Sequence, residues 1–227
     1  MPDTHTHPPD RYVISDRTRV RRHHERGSHG RAEVHAILDA LPLCHVGYLI
    51  DGAPYVTPTL QWRDGDRVYW HGSSASRFLR QVEGTPVCLT VSAMDGYVLA
   101  RSAFSHSVNY RSAMVFGIAH AIEDEGEKAD ALRGFVDGLF PGRWETLRPI
   151  TTQELKATAV LWMEIDEASA KVRAAPPADA DEAAFPVWAG VVPVRSTLQA
   201  AEPAPDLPPG LSLPGAIADL IASGRLR

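Results

Sequence analysis

Between residues 69 and 78 the chain reads YWHGSSASRF, an apolar run that ends in a histidine, a glycine, three serines and one arginine. The hydroxyls of Ser73, Ser74 and Ser76 can converge on one anion, and the Arg77 guanidinium adds a donor fork suited to phosphate oxygens. Gly72 removes a side chain where backbone could approach a ligand. The plainer account is a helix cap, with Ser73 or Ser74 accepting from the first N–H groups of the next helix. His71 stands at the mouth of this segment. Its type makes it the candidate proton donor, or else a structural hydrogen-bonder at a strand end.

A second polar cluster, RSAFSHSVNYRS at 101–112, places Arg101, His106, Tyr110, Arg111 and Ser112 between two apolar runs. A plain hairpin loop is built from Gly, Asn or Asp rather than from two arginines, a histidine and a tyrosine. The alternatives are a polar connection and a set of groups that grip a ligand, in this chain or on a neighbouring subunit. Trp188, in FPVWAGVV, follows a loop rich in Ala and Pro and precedes two small residues. It is either core or a ring that closes over a flat ligand. The sequence contains no paired-carboxylate site, Walker loop, GxGxxG or Ser-His-Asp signature.

The elements that must position these residues follow from periodicity. RAEVHAILDAL at 31–41 has helical spacing and is stopped by Pro42. Leu43 to Ile50 reads as a strand, Asp51-Gly52 as a hairpin turn, and 53–62 as the returning strand, with Pro58 marking an edge or bulge. A strand at 67–71 leads into the serine segment and a short helix over about 75–82. Pro86–Ala93 and Tyr97–Phe104 are expected to pair across Asp95-Gly96, and 110–122 to form a long strand. Glu125 to Phe140 is the strongest helix pattern, and Ala157 to Ile165 the last core strand. A short strand follows at 187–192, then a proline-rich linker and a small helix in LPGAIADLIASG. Short strands joined by tight turns, with few helices, imply a mainly β fold with flanking helices, closed or nearly closed into an antiparallel barrel.

Composition narrows the function. A chain of 227 residues with net charge −5, 44% hydrophobic and 22% charged, fits one domain with extensions. Residues 1–30 read as an extended arm of low intrinsic order, 31–195 as the domain and 196–227 as a tail. Seven arginines lie between Arg11 and Arg31. Interspersed acids and the lack of an aromatic ladder favour a solvated arm or intersubunit contact over nucleic-acid binding. His5, His7, His23 and His24 lack the fixed geometry of a metal site, so no metal is expected. Cys44 and Cys88 have no CxxC partner and suit a reducing compartment. No apolar run approaches the roughly 18 residues of a membrane helix, and the expectation is a cytoplasmic protein without membrane or nucleic-acid partners.

Five stretches taken together carry a resemblance: CHVGYLIDGAPYVTPTL, YWHGSSASR, DGYVLARSAFSHSVNYRSAMVFG, LKATAVLWMEIDEASAKVR and PVWAGVVP. Over roughly residues 15–195 the chain resembles the flavin-nucleotide-binding branch of the pyridoxamine 5′-phosphate oxidase-like family, which includes nitroimidazole-resistance-related proteins. The resemblance implies a split β-barrel homodimer with FMN between subunits. It assigns Gly72, Ser73, Ser74, Ser76 and Arg77, beside His71, to the phosphate. Thr57, Pro58, Thr59 and Leu60 would flank the flavin ring. Tyr110, Arg111, Ser112 and Trp188 would approach from the second subunit, with Lys171 as a further charge. The function implied is an FMN-dependent oxidoreductase acting on a small molecule, with NADH or NADPH as electron donor. The chain departs from the family members that oxidise pyridoxamine phosphate. YVTPTL lacks their Arg-x-x-x-Lys pattern, and a single Arg195 stands where they are basic after the tryptophan, so that substrate is not implied. Alternatives on the same barrel are a haem-binding or haem-degrading protein using His71, His106 or an arm histidine, a non-catalytic flavin carrier, or a deazaflavin cofactor.

Overall fold

Alternation of apolar and polar residues along the strands builds most of the molecule. In the computed structural model, residues 10–179, 181 and 183–224 are described. His5 and His7 lie outside them. Ten strands are linked in one sheet: β1 (Gly27–Ser28), β2 (Leu43–Ile50), β3 (Ala53–Asp64), β4 (Arg67–Ser73), β5 (Pro86–Leu99), β6 (Ser107–Ile118), β7 (His120–Ala121), β8 (Thr158–Glu164), β9 (Glu167–Arg173) and β10 (Gly190–Pro193). Their order is β1-β9-β6-β5-β2-β3-β4-β8-β7, with β10 attached to β5. The described pairings are antiparallel.

The sheet curls around a core to which β2 sends Val46, β5 sends Leu89 and Val91, and β4 sends Val68 and Trp70. Helix α1 (Arg31–Ala40) buries Val34, Ile37 and Leu38 against it. Buried Gln61 donates from Nε2 to the carbonyls of Leu38 and Leu41, satisfying groups that the helix end leaves open. Helix α2 (Arg77–Gln81) drops Phe78 and Leu79 into the same core. A second, smaller cluster lies on the other face of β4 and β8, under α3 (Glu125–Leu139) and α4 (Thr152–Ala157). The curled sheet closes where β6 meets the end of β8, and the Asp166 N–H donates to the Phe116 carbonyl.

The hairpin at Asp51-Gly52 forms as expected, with φ of 52° and 77°. Pro58 faces β2, and β3 pairs with β4 only from Gln61 onward, so the proline sits where β3 has one free side. The expected hairpin at Asp95-Gly96 does not form. β5 runs straight through with a register shift between Met94 and Gly96, and its partner is β6. Gly96 serves a close approach instead, since a Cβ there would lie 3.0 Å from the Val192 carbonyl oxygen of β10. β9 is a strand that the sequence reading passed over, because its inward residues are Ala168, Ala170 and a partly buried Val172, which together carry a weak hydrophobic signal.

The arm, expected to lack order, is held against the sheet from Asp10 onward. Thr18 and His29 are buried, and His29 Nε2 lies 3.0 Å from the Thr18 carbonyl. Arg17 bonds Glu167 and lies over the Phe116 ring. The tail is exposed and ends in helix α5 (Gly215–Ser223). Among the described residues no helix is long and apolar enough to cross a membrane.

Candidate functional site

The end of β4 and the turn into α2 bring the serine segment together. Ser73 Oγ accepts from the Ala75 N–H, and the Ser76 N–H donates to the Ser73 carbonyl at 2.9 Å. The cap reading is not what forms: the N-cap is Ser76, and its side chain makes no capping bond. With five residues α2 sums few peptide dipoles, so the anion donors here are the serine hydroxyls and Arg77. The Arg77 side chain is 60% exposed. Its Nε donates to Gln81, and it lies 3.9 Å from Asp51 at the tip of the β2–β3 hairpin. Gly72 has a local role, because Leu79 Cδ1 sits 2.9 Å from the place a Cβ would occupy.

Strand alternation splits the residues expected on β3. Thr57 and Thr59 face the α2 side: the Thr57 hydroxyl is 2.9 Å from Tyr48 Oη, and Thr59 Oγ1 donates to the His71 carbonyl. Pro58 and Leu60 oppose His45 and Leu43 on the outward face. Tyr110 and Ser112 share one face of β6 and Arg111 the other, where it bonds Asp95. Ser112 Oγ donates to the Lys171 carbonyl on β9. The serine segment follows β4, whereas Tyr110 and Ser112 lie on β6 and Lys171 on β9, at separate places in the strand order of the curled sheet. Trp188 lies outside β10 and is 65% exposed, with its indole packed over Gly190.

A second cavity opens on the α3 side of β4. The alternation that turns Val68 and Trp70 into the core turns Tyr69 and His71 outward under α3. The His71 ring lies 4.5 Å from Phe135 and 5.7 Å from Trp62, centroid to centroid. With Leu132, Trp144, Leu147 and Ile150 it lines a largely apolar cavity of about 510 Å³. Its Nδ1 is buried without a hydrogen-bond partner. Burial alone lowers the pKa of His71 from its ordinary value, so the ring is neutral near neutral pH. At the rim Arg148 pairs with Glu154, whose carboxyl is held down at about 2 by that bond and by the capping box with Thr151 at the start of α4. Among the described residues no three His, Cys, Asp or Glu side chains gather as a metal cluster.

The sequence reading found His71 but not its surroundings. Phe135 belongs to the apolar pattern of α3 and carries no sign of a cavity wall, and PGRWETLRPI has no period to mark it as one. The usable signal was the phase of β4, which places His71 on the face opposite Trp70.

Residues 30–172, well over half of the chain, match the pyridoxamine 5′-phosphate oxidase family. The chain belongs to that oxidase-like family. Among solved structures it is similar to the flavocytochrome Anf3 from Azotobacter vinelandii, with 51% identity over 91% of this chain and 97% of that one, and a TM-score of 0.86. It is also similar to an FAD- and haem-binding protein from Mycobacterium smegmatis, with 38% identity over 89% and 99% of the two chains, and a TM-score of 0.84. A Bacteroides thetaiotaomicron protein assigned to 5-nitroimidazole antibiotic resistance shares the fold, with 24% identity over 64% and 86% of the chains, and a TM-score of 0.54. No curated protein matches the chain. Membership makes the curled sheet a split β-barrel of the family type.

Proposed function

We propose that this protein is a redox flavocytochrome, with FAD held between two subunits and a haem held within each subunit against His71. The observation that carries the haem is the His71 ring, neutral, with Nδ1 unpartnered, in the wall of a large apolar cavity. The likeness to two relatives described as a flavocytochrome and as an FAD- and haem-binding protein supports it. The reading moves the expected cofactor from FMN alone to FAD with haem, and moves His71 from proton donor to iron ligand.

The residues present fit both groups. A haem needs an apolar envelope, a neutral imidazole and a cation near its propionates. Leu132, Phe135, Leu147 and Ile150 supply the envelope, His71 the imidazole and Arg148 the cation. For the flavin, Ser73, Ser74, Ser76 and Arg77 would take a phosphate. Tyr110, Ser112, Lys171 and Trp188 of the other subunit would complete the site, since one chain leaves them apart. Haem and flavin would supply one-electron and hydride chemistry. The chain's own part is to keep the His71 ring neutral by burial, to exclude water with the α3 and α4 walls, and to fix the flavin phosphate. NADH or NADPH as donor and a small electron-accepting molecule as substrate complete the reading.

The test is the spectrum of purified His71→Ala beside wild type. The wild type is expected to show both flavin bands and a Soret band. The variant is expected to lose the Soret band by tenfold or more while retaining flavin. Equal haem content in both proteins would overturn the assignment.

A further inference from the structure

The N-terminal crossing carries Arg17, Arg19, Arg21 and Arg22 over the outward face of β5, β6 and β9. With Lys171 they surround a cavity of about 320 Å³. Its floor includes Thr90, Ser112 and Ser169, and its apolar wall is Val20 and Met114. Among the described residues no carboxylate lines it, in a chain whose net charge is −5. Arg17 is committed to Glu167, and Arg21 lies 3.7 Å from an exposed Asp16. Arg19, Arg22 and Lys171 have no carboxylate partner among the described residues.

The cations are presented by a fixed segment. Buried Thr18 and His29 pin the crossing, and Val20 packs so closely on Gly27 that a Cβ there would lie 2.7 Å from it. Holding like charges around one cavity costs electrostatic energy that an anion would offset. Guanidinium forks suit phosphate oxygens, and their planes also stack on a base. A lone phosphate would leave Val20 and Met114 idle, whereas a nucleotide uses the surrounding cations and the apolar wall together.

We propose that this cavity binds the adenosine diphosphate half of a dinucleotide, with the diphosphate on Arg19, Arg22 and Lys171. Two dinucleotides carry that half. One is FAD, and this source rests on the function proposed above, because Ser112 and Lys171 lie on the face that a second subunit's serine segment would meet. The other is a nicotinamide dinucleotide that delivers electrons.

The experiment compares wild type, the double variant Arg19→Gln/Arg22→Gln, which leaves Lys171 of the flavin site in place, and Arg195→Gln as a control for charge at an exposed tail position. Each purified full-length protein is titrated with ADP by calorimetry, and its bound flavin is extracted and identified. If nicotinamide dinucleotide is the occupant, ADP binds wild type and control, and the double variant binds it roughly tenfold or more weakly with unchanged flavin. If FAD is the occupant, as-purified wild type does not take ADP, and the variant loses FAD or exchanges it for FMN. A variant with unchanged ADP binding and unchanged flavin composition overturns the proposal, as does binding of single-stranded DNA where ADP and flavin show no dependence on these residues. The ADP titration reads the cavity even in a preparation without flavin, so failure of the flavin reading is seen separately.

Discussion

His71 sits between Phe135 and Trp62, and desolvation alone displaces its pKa. The folded state therefore favours the neutral ring, while the unfolded chain takes up a proton near the ordinary value of 6.5. As pH falls through that value the unfolded state binds more protons than the folded one. Stability contributed by the neutral ring is thus present above about pH 6.5 and is lost as pH falls toward the lowered folded value. Glu154, held at about 2 in the fold, is present in wild type and variant alike, so whatever slope it adds near pH 5 is common to both. His71→Phe removes the titrating ring and keeps a flat side chain beside Phe135. With both proteins measured free of haem, its melting temperature is expected to fall less than that of wild type between about pH 7 and about pH 5. Parallel melting curves for the two proteins over that range would refute the burial argument.

Elements with strong periodicity were legible in the sequence, and elements that depend on close approach were not. The apolar face of α3 and the left-handed pair Asp51-Gly52 are local signals that tertiary context does not overrule. Asp95-Gly96 carries the same local signal but serves another element, because β10 presses its backbone on Gly96. β9 was missed because alanines face inward there, and small side chains suffice where α1 packs close. Of the candidate site, the serine segment and His71 could be read from residue type. The wall around His71 could not, since it is assembled from α3, an aperiodic loop and α4. Gly117 shows how the barrel closes: a Cβ there would fall deep inside the van der Waals shell of the Glu164 carbonyl oxygen and against Met163. A backbone atom cannot turn aside as a side chain can, so β6 and β8 would have to separate. Gly117→Ala is expected to destabilise the fold by about 2 kcal/mol, seen as a melting point several degrees lower. An unchanged melting point would mean that this end of the barrel is loosely packed.

At the scale of the whole molecule the outward face of the sheet carries a run of exposed apolar residues. Leu43, Leu49 and Val56 are 56%, 61% and 66% exposed, and register puts them on one face with Pro54, Pro58 and Leu60. Cross-strand pairing carries that face from His45 to Thr90, Met114 and Ser169, so the apolar strip runs into the arginine-lined cavity. A contiguous apolar face of this kind marks an interface. A homodimer would bury it and bring Tyr110, Ser112 and Lys171 of one chain toward the serine segment of the other. The His71 cavity is built within one chain and does not need the partner. On the function proposed above, flavin and haem should therefore respond differently to loss of a dimer. Val56→Arg places a charge in the strip without touching the core. By sedimentation it is expected to convert a dimer to a monomer, with flavin lost and the Soret band retained. A monomeric wild type would remove the basis for a shared flavin site, and a monomeric variant that still held flavin would place the whole flavin site within one chain.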